Sequence, residues 1–306
     1  MIKTVSSVAL KGARDDSSSG GNSKNLPGRA TRRAPSFLPL NEAVRTLVKS
    51  GSCVAMEGFT HLIPFAAGHE VIRQGIKNLT LIRMTPDLIY DQLIGAGCAG
   101  KLIFSWGGNP GVGSLHRMRD AIERGYPGPL EIEEHTHAAM AAAYQAGAAG
   151  LPFAVLRGYV GVDLPSVNSN IRSVRCPYTG QSLATVPALV PDVAIIHAQR
   201  ADRKGNVLIE GIVGIQKECA FAAGRTLVTV EEVVDELEPG SVNAVVLPAW
   251  TVSAISVVPG GAFPSYAHGY YDRSNAFYIE WDAISRDRSR FHKWMQEHVF
   301  NPPPRL

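Results

Sequence analysis

The stretch 101–119, KLIFSWGGNPGVGSLHRMR, sets the strongest limit on what this chain can fold into. Leu102, Ile103 and Phe104 form a short apolar run of the kind shown by a strand buried on both faces. Gly107, Gly108, Asn109, Pro110, Gly111 and Gly113 follow directly. Glycine at that density implies a backbone that needs positive φ or close approach to another group. Ser114 suits a helix N-cap, and Leu115, Met118 and Ile122 recur at helical spacing. The unit is strand, glycine loop, helix. Its N–H groups and helix N-terminus suit a phosphate or a developing oxyanion. It is not a dinucleotide fingerprint, because His116 stands where a third glycine is needed, and there is no Walker lysine. A tight turn that binds nothing is the plainer alternative.

The same alternation runs through the body of the chain. A helix is expected over 41–50, with Asn41 as its cap, Ala43, Val44, Leu47 and Val48 on one face, and Gly51 after it. An apolar strand over 53–56 runs into Glu57, Gly58, Phe59 and Thr60, and Pro64 opens a second helix that ends at Gly75. A strand over 79–84 and a helix from Asp87 to about residue 96 lead to the glycine loop. Strands are further expected at 130–132, 191–197, 207–209, 226–230, 244–247 and 256–258, and helices at 138–145, 216–223 and 282–299. The last carries Phe291, Trp294, Met295 and His298 on one side, a pattern of core or subunit interface. Residues 158–177 lack periodicity and read as a long loop, and 259–264 as irregular backbone. Strands and helices at these spacings predict an α/β fold: a mostly parallel open sheet with helices on both faces.

Composition separates the ends of the chain. Residues 1–36 carry seven cations against Asp15 and Asp16, so a net charge of +3 for the whole chain leaves the body at −2. Nucleic-acid binding has no electrostatic support in such a body. No apolar run approaches the roughly eighteen residues of a membrane span. Residues 1–37 read as a disordered basic tail and 38–306 as one domain. A flexible tail, a transit peptide and a start placed too far upstream all remain open for the first segment. Cys53, Cys98, Cys176 and Cys219 are far apart and predict reduced thiols in a cytoplasmic compartment. His135 and His137 lie beside Glu133 and Glu134, but two histidines do not close a metal site, and none is expected.

Four segments, EGFTHLIP at 57–64, GGNPGVGSLHR at 107–117, DVAIIHAQRADRKGNV at 192–207 and PGGAFPSYAHGYYDR at 259–273, together resemble the A subunit of family I CoA-transferases, in the glutaconate CoA-transferase branch. The similarity covers about 41–299. In this family the turn after the first strand reads Gly-Gly-Phe and then a later glycine before proline. Here Glu57 replaces the first glycine, the later glycine is missing, and the spacing to Pro64 is one residue shorter. The family's partner subunit carries a Ser-Glu-Asn-Gly turn whose glutamate is the nucleophile, and that string is absent here.

The resemblance implies half of an enzyme. It implies an obligate B subunit, in a heterotetramer or larger assembly, and CoA thioester as substrate with no resident cofactor. The substrates implied are succinyl-CoA and 3-oxoadipate, in aromatic degradation. A glutaconate-type transferase or a ring-opening hydrolase subunit is the nearer alternative, and a phosphosugar-binding effector module the more distant one. The implied CoA and substrate wall is Gly58, Phe59 and Thr60, with Gly107, Gly108, Asn109, Gly111, Gly113 and Ser114 from the glycine loop. No catalytic residue is expected on this chain. Glu57 is the one candidate, either as a nucleophile or as a hydrogen-bond acceptor positioning a neighbour. Arg117, Arg119, His116 and Ser114 are candidates for a second substrate carboxylate, or simply a solvated helix face.

Overall fold

Along Cys53–Glu57 the side chains alternate between two buried faces: Val54 and Met56 enter one core, Ala55 another. That period of two, with both faces apolar, is what a central parallel strand requires. A computed structural model describes residues 34–302 apart from 160, 239 and 241, all within one compact unit, 31–306. In chain order the first half comprises β1 (Ser36–Phe37), α1 (Leu40–Leu47), β2 (Cys53–Glu57), α2 (Phe65–Arg73), β3 (Leu79–Arg83), α3 (Leu88–Gly95), β4 (Ala99–Phe104), α4 (His116–Arg124), β5 (Glu131–Glu134) and α5 (His137–Ala149). A small excursion follows, β6 (Phe153–Leu156), α6 (Leu164–Val167), β7 (Arg172–Arg175) and β8 (Ser182–Pro187). The second half comprises β9 (Val193–Asp202), β10 (Val207–Glu210), α7 (Gln216–Ala222), β11 (Arg225–Val234), β12 (Ala244–Leu247), β13 (Ala254–Val257), α8 (Asn275–Arg286) and α9 (Arg288–Met295).

The large sheet runs β1-β13-β11-β9-β2-β3-β4-β5, parallel throughout, and β10 adds antiparallel pairs with β9 and β12. One face packs under α1 to α4, α8 and α9 through residues such as Leu47, Val71, Leu93, Trp281 and Phe291. The other packs under α5 and α7 through Ala143, Tyr144 and Cys219. The chain moves outward from β2 to β5, returns to the middle at β9 beside β2, and then moves to the opposite edge. Strand order therefore reverses between β2 and β9, where Glu57 lies in register with Ile196. Open α/β sheets bind ligands outside the carboxyl ends of strands at such a point.

Four expectations need correction. The loop read at 158–177 contains α6 and β7, and β7 joins β6 and β8 in a second, antiparallel sheet. The expected terminal helix is two helices, broken at Asp287, whose backbone is extended and whose side chain caps α9 through Arg290 N at 2.8 Å. Ser114 does not cap α4: the helix begins at His116, and its N-terminus is met from α3 by Asp91. The sheet also takes in Ser36 and Phe37, paired with Ala254 and Ile255, inside the segment read as tail; residues 1–33 lie outside the described residues.

Candidate functional site

The turn leaving β2 is held in a conformation that few side chains adopt. Thr60 and Leu62 have φ of 63° and 52°, in the left-handed region that costs a β-branched or bulky residue energy. Gly58 is required by crowding: a Cβ there would stand 2.7 Å from Leu62 O and 2.8 Å from His61 O. The chain folds back on itself so tightly that Phe59 and Thr60 are pushed out to the surface. His61 is buried below them, its Nε2 3.0 Å from Glu210 O and its ring 4.9 Å from that of Tyr266. Beyond Tyr266 a cavity of about 710 Å³ opens, lined by Gly211, Ile212, Asn243 and His268.

Glu57 supports this turn from beneath. Period two along β2 aims it at the α5 face, where its Oε1 accepts from the Tyr144 hydroxyl at 2.9 Å and from Met84 N at 3.1 Å. Arg83 lies alongside, donating to Gly58 O at 2.9 Å and pairing with Asp87 at 3.1 Å. Burial pushes the Glu57 carboxyl up to about 7, against the pull of Arg83, the Tyr144 hydroxyl and Met84 N–H. A carboxyl raised in the folded state binds a proton that the unfolded chain has released. Stability contributed by Glu57 is therefore full below its ordinary value near 4.5 and is lost as pH rises to about 7. The expected loss is about 3 kcal/mol. Glu57→Gln should flatten that slope in denaturant melts taken at about pH 5 and about pH 8. An unchanged slope would show that Glu57 titrates normally.

The glycine loop is fastened to the same structure. Met84 O accepts from Ser105 N, Trp106 N and the Ser105 hydroxyl, and Pro86 O from Gly108 N. Asn109 N donates to Gly113 O at 2.8 Å, and Val112 N and Gly113 N return to Asn109 O, each at 3.0 Å. These N–H groups are occupied by partners within the protein. Gly108 and Asn109 are buried, and the Asn109 amide donates to Tyr278 O at 2.7 Å. Gly107 and Ser114 are half-buried, while Gly111 and Gly113 form the exposed tip with Val112. Gly111 has open space around it and is needed for its φ of +79°, not for close approach. Three successive βα turns, at 57–64, 84–87 and 105–115, thus form one hydrogen-bonded unit at the carboxyl edge of the sheet.

The cations singled out after the loop are engaged elsewhere. His116 pairs with Asp282 at 2.8 Å, and exposed Arg119 with Glu123 at 2.8 Å. Arg117 is buried against α8, donating to Ser285 O, Arg286 O and Asp120. His135 turns to Glu133 at 2.9 Å and His137 to Ser105 at 3.1 Å, so the two histidines do not converge. Among the described residues no group of three or more His, Cys, Asp and Glu is placed to hold a metal ion. No helix among them is long and apolar enough to cross a membrane. The sequence reading missed Arg83, Asp87, Tyr144 and Arg273, the last donating to Pro110 O at 2.8 Å.

The parallel sheet reverses its strand order between β2 and β9, and the first glycine turn leaves β2 at that point. Residues 38–257 match the coenzyme A transferase family, and the chain belongs to it. It is 64% identical over 263 residues to the A subunit of 3-oxoadipate CoA-transferase from Pseudomonas knackmussii, covering 86% of this chain and 93% of that one. The crystal structure of glutaconate coenzyme A-transferase from Acidaminococcus fermentans superposes with a TM-score of 0.80 at 30% identity, over 87% of this chain and 89% of that one. A variant of the decarboxylase AibA/AibB superposes with a TM-score of 0.74 at 28% identity, over 86% and 99% of the two chains. The α/β fold expected from sequence is the fold of the glutaconate enzyme, and the activity class is CoA transfer. The hydrolase and effector-module alternatives are not favoured beside a 64% identical transferase chain.

Proposed function

We propose that this chain is the A subunit of a transferase that moves CoA from succinyl-CoA to 3-oxoadipate, and that it is inert without a B subunit. The observation that carries the reading is the 64% identity with the A subunit of a 3-oxoadipate CoA-transferase, across 93% of that relative's length. The geometry agrees in one respect that matters. Glu57, the one carboxylate in the first glycine turn, is only 2% exposed and held between the Tyr144 hydroxyl and Met84 N. A group so enclosed positions its neighbours and cannot reach a thioester carbonyl.

The nucleophile is then a glutamate of the partner. It attacks the succinyl thioester carbonyl, the C–S bond breaks, and CoA thiolate is expelled to leave a mixed glutamyl–succinyl anhydride. The thiolate returns to the glutamyl carbonyl and releases succinate, leaving a glutamyl-CoA thioester. The acceptor carboxylate attacks that thioester, and the same steps in reverse deliver 3-oxoadipyl-CoA and the free glutamate. This is covalent catalysis in two matched stages. In this scheme Gly58, Phe59, Thr60 and the 107–114 loop form the wall against which the acyl group and the pantetheine arm lie. CoA enters as substrate, with no resident cofactor. The setting we propose is aromatic-compound degradation in the cytoplasm, in a heterotetramer or larger assembly. Free thiols at Cys53, Cys98, Cys176 and Cys219 accord with a reducing compartment.

The purified chain should show no turnover with succinyl-CoA and 3-oxoadipate. Addition of the B subunit should give parallel-line, ping-pong kinetics. In that complex Glu57→Gln should keep turnover within about threefold, because a glutamine oxygen accepts from the same two donors. Loss of a nucleophile would instead cost at least about 10⁴-fold. Sustained turnover by the isolated chain would refute the reading.

A further inference from the structure

The glycine turns meet around an unbalanced charge. Arg83 donates to Gly58 O in the first turn, and Arg273 to Pro110 O in the second. One carboxylate, Asp87, lies near both: it pairs with Arg83 at 3.1 Å, and burial pushes its carboxyl up against the pull of Arg83 and of Arg273. Glu57 is a partial counter-charge at most, since burial pushes its carboxyl up to about 7. Two guanidiniums against two carboxyls that burial pushes up leave a positive centre beside the site, in surroundings where an unpaired charge is costly.

Of the two, Arg83 is walled in at 1% exposure, and Arg273 is half-buried and reaches the loop at Pro110. Its guanidinium lies 3.8 Å from the centre of the Tyr278 ring, which fixes its plane. Among the described residues Pro110 O is its one hydrogen-bond acceptor, and its Nε is buried without a partner. The neighbouring loop tip, Gly111–Val112–Gly113, places two residues without side chains beside it, and the tip is exposed. The result is a preorganised planar donor fork, the geometry that matches a carboxylate.

Resting on the transferase reading above, we infer that Arg273 receives the free distal carboxylate of the acyl group, in donor and acceptor alike. Succinyl-CoA, 3-oxoadipate and both products share one feature at the end remote from the thioester, a terminal carboxylate. The 3-oxoadipyl chain is two carbons longer than succinyl, so a single fixed cation serves both half-reactions with the longer chain bent, and acyl groups lacking that carboxylate leave it unpaired. His116, Arg117 and Arg119, which precede it in the chain, are held by other partners and leave Arg273 for the task.

The test uses the assembled two-subunit enzyme, wild type, Arg273→Gln and Arg273→Lys, with succinyl-CoA and with butyryl-CoA, its counterpart without the distal carboxylate. Arg273→Gln should raise KM for succinyl-CoA and for 3-oxoadipate by roughly 10- to 100-fold, as loss of a charged hydrogen-bond donor does. The values of kcat should stay within about threefold, and butyryl-CoA kinetics within about twofold. Arg273→Lys should fall between, because a point charge cannot bind bidentately. Equal losses for the two donors would mean that Arg273 only supports the loop or pairs with the partner, and would overturn the inference. If wild type shows no transfer from succinyl-CoA, the transferase reading fails by itself. Arg273 is then judged by thermal shift: succinate should stabilise wild type and not Arg273→Gln, with butyrate inert toward both, and equal shifts would refute it.

Discussion

Asp91→Ala should lower the stability of the chain by about 4 kcal/mol, from three hydrogen bonds to a charged acceptor. Asp91 is fully buried on α3. Its Oδ1 accepts from Arg117 N at 2.8 Å and Met118 N at 2.9 Å, the two donors exposed at the start of α4. Its Oδ2 accepts from the indole of fully buried Trp281 at 3.0 Å. One side chain thus caps a helix in trans and ties α3, α4 and α8 together. Truncation leaves three buried donors without partners, which is what makes the loss large. Asp91→Asn should lose about half as much, because its carbonyl still accepts from the two backbone donors while its amide faces the indole N–H. Equilibrium denaturation of the three proteins checks this ordering. Equal stability of Asp91→Ala and wild type would show that α4 is capped by other means. Burial also pushes the Asp91 carboxyl up to about 6, so its ionisation as pH rises toward that value adds a second source of stability loss with rising pH.

Arg83→Met should be comparably damaging, by about 3–5 kcal/mol, because it leaves a buried carboxylate uncompensated. Arg83 and Asp87 have side chains 1% and 2% exposed and pair at 3.1 Å. The companion variant Arg83→Met/Asp87→Asn removes the stranded charge and should recover at least about half of that loss. It should not recover activity in the assembled enzyme, because Gly58 O still lacks the Arg83 donor that braces the first glycine turn. Recovery of both would show that the arginine matters only for folding. Failure to recover stability would show that the pair was not the source of the cost.

Much of the fold was written locally. The apolar run at 193–198 and the glycine-rich string after β4 each carry their meaning within a few neighbours, and alternation with helices gave the parallel sheet. The second sheet was not legible, because β7 reads RSVR and is exposed throughout, with no apolar period to mark it. The break at Asp287 did carry a local sign, an aspartate three residues before Arg290 N, but the aromatic stripe running through 291–298 masked it. The candidate site divides the same way. Gly58, Phe59 and the loop glycines stand out by composition. Their supports lie far along the chain: Tyr144 is 87 residues from Glu57, and Arg273 is 163 residues from Pro110. Without the fold, Arg117 and Arg119 are better placed by sequence than Arg273, and the packing of α4 on α8 removes Arg117 from the site.

In the proposed enzyme this chain shapes the pocket and its partner supplies the nucleophile. The direct measurement is intact-mass analysis of the assembled two-chain enzyme after incubation with succinyl-CoA in the absence of acceptor. The expected result is an adduct on the partner alone, heavier by CoA less water and removed by hydroxylamine, with this chain unmodified. An adduct on this chain, at Glu57 or any other carboxylate, would contradict it.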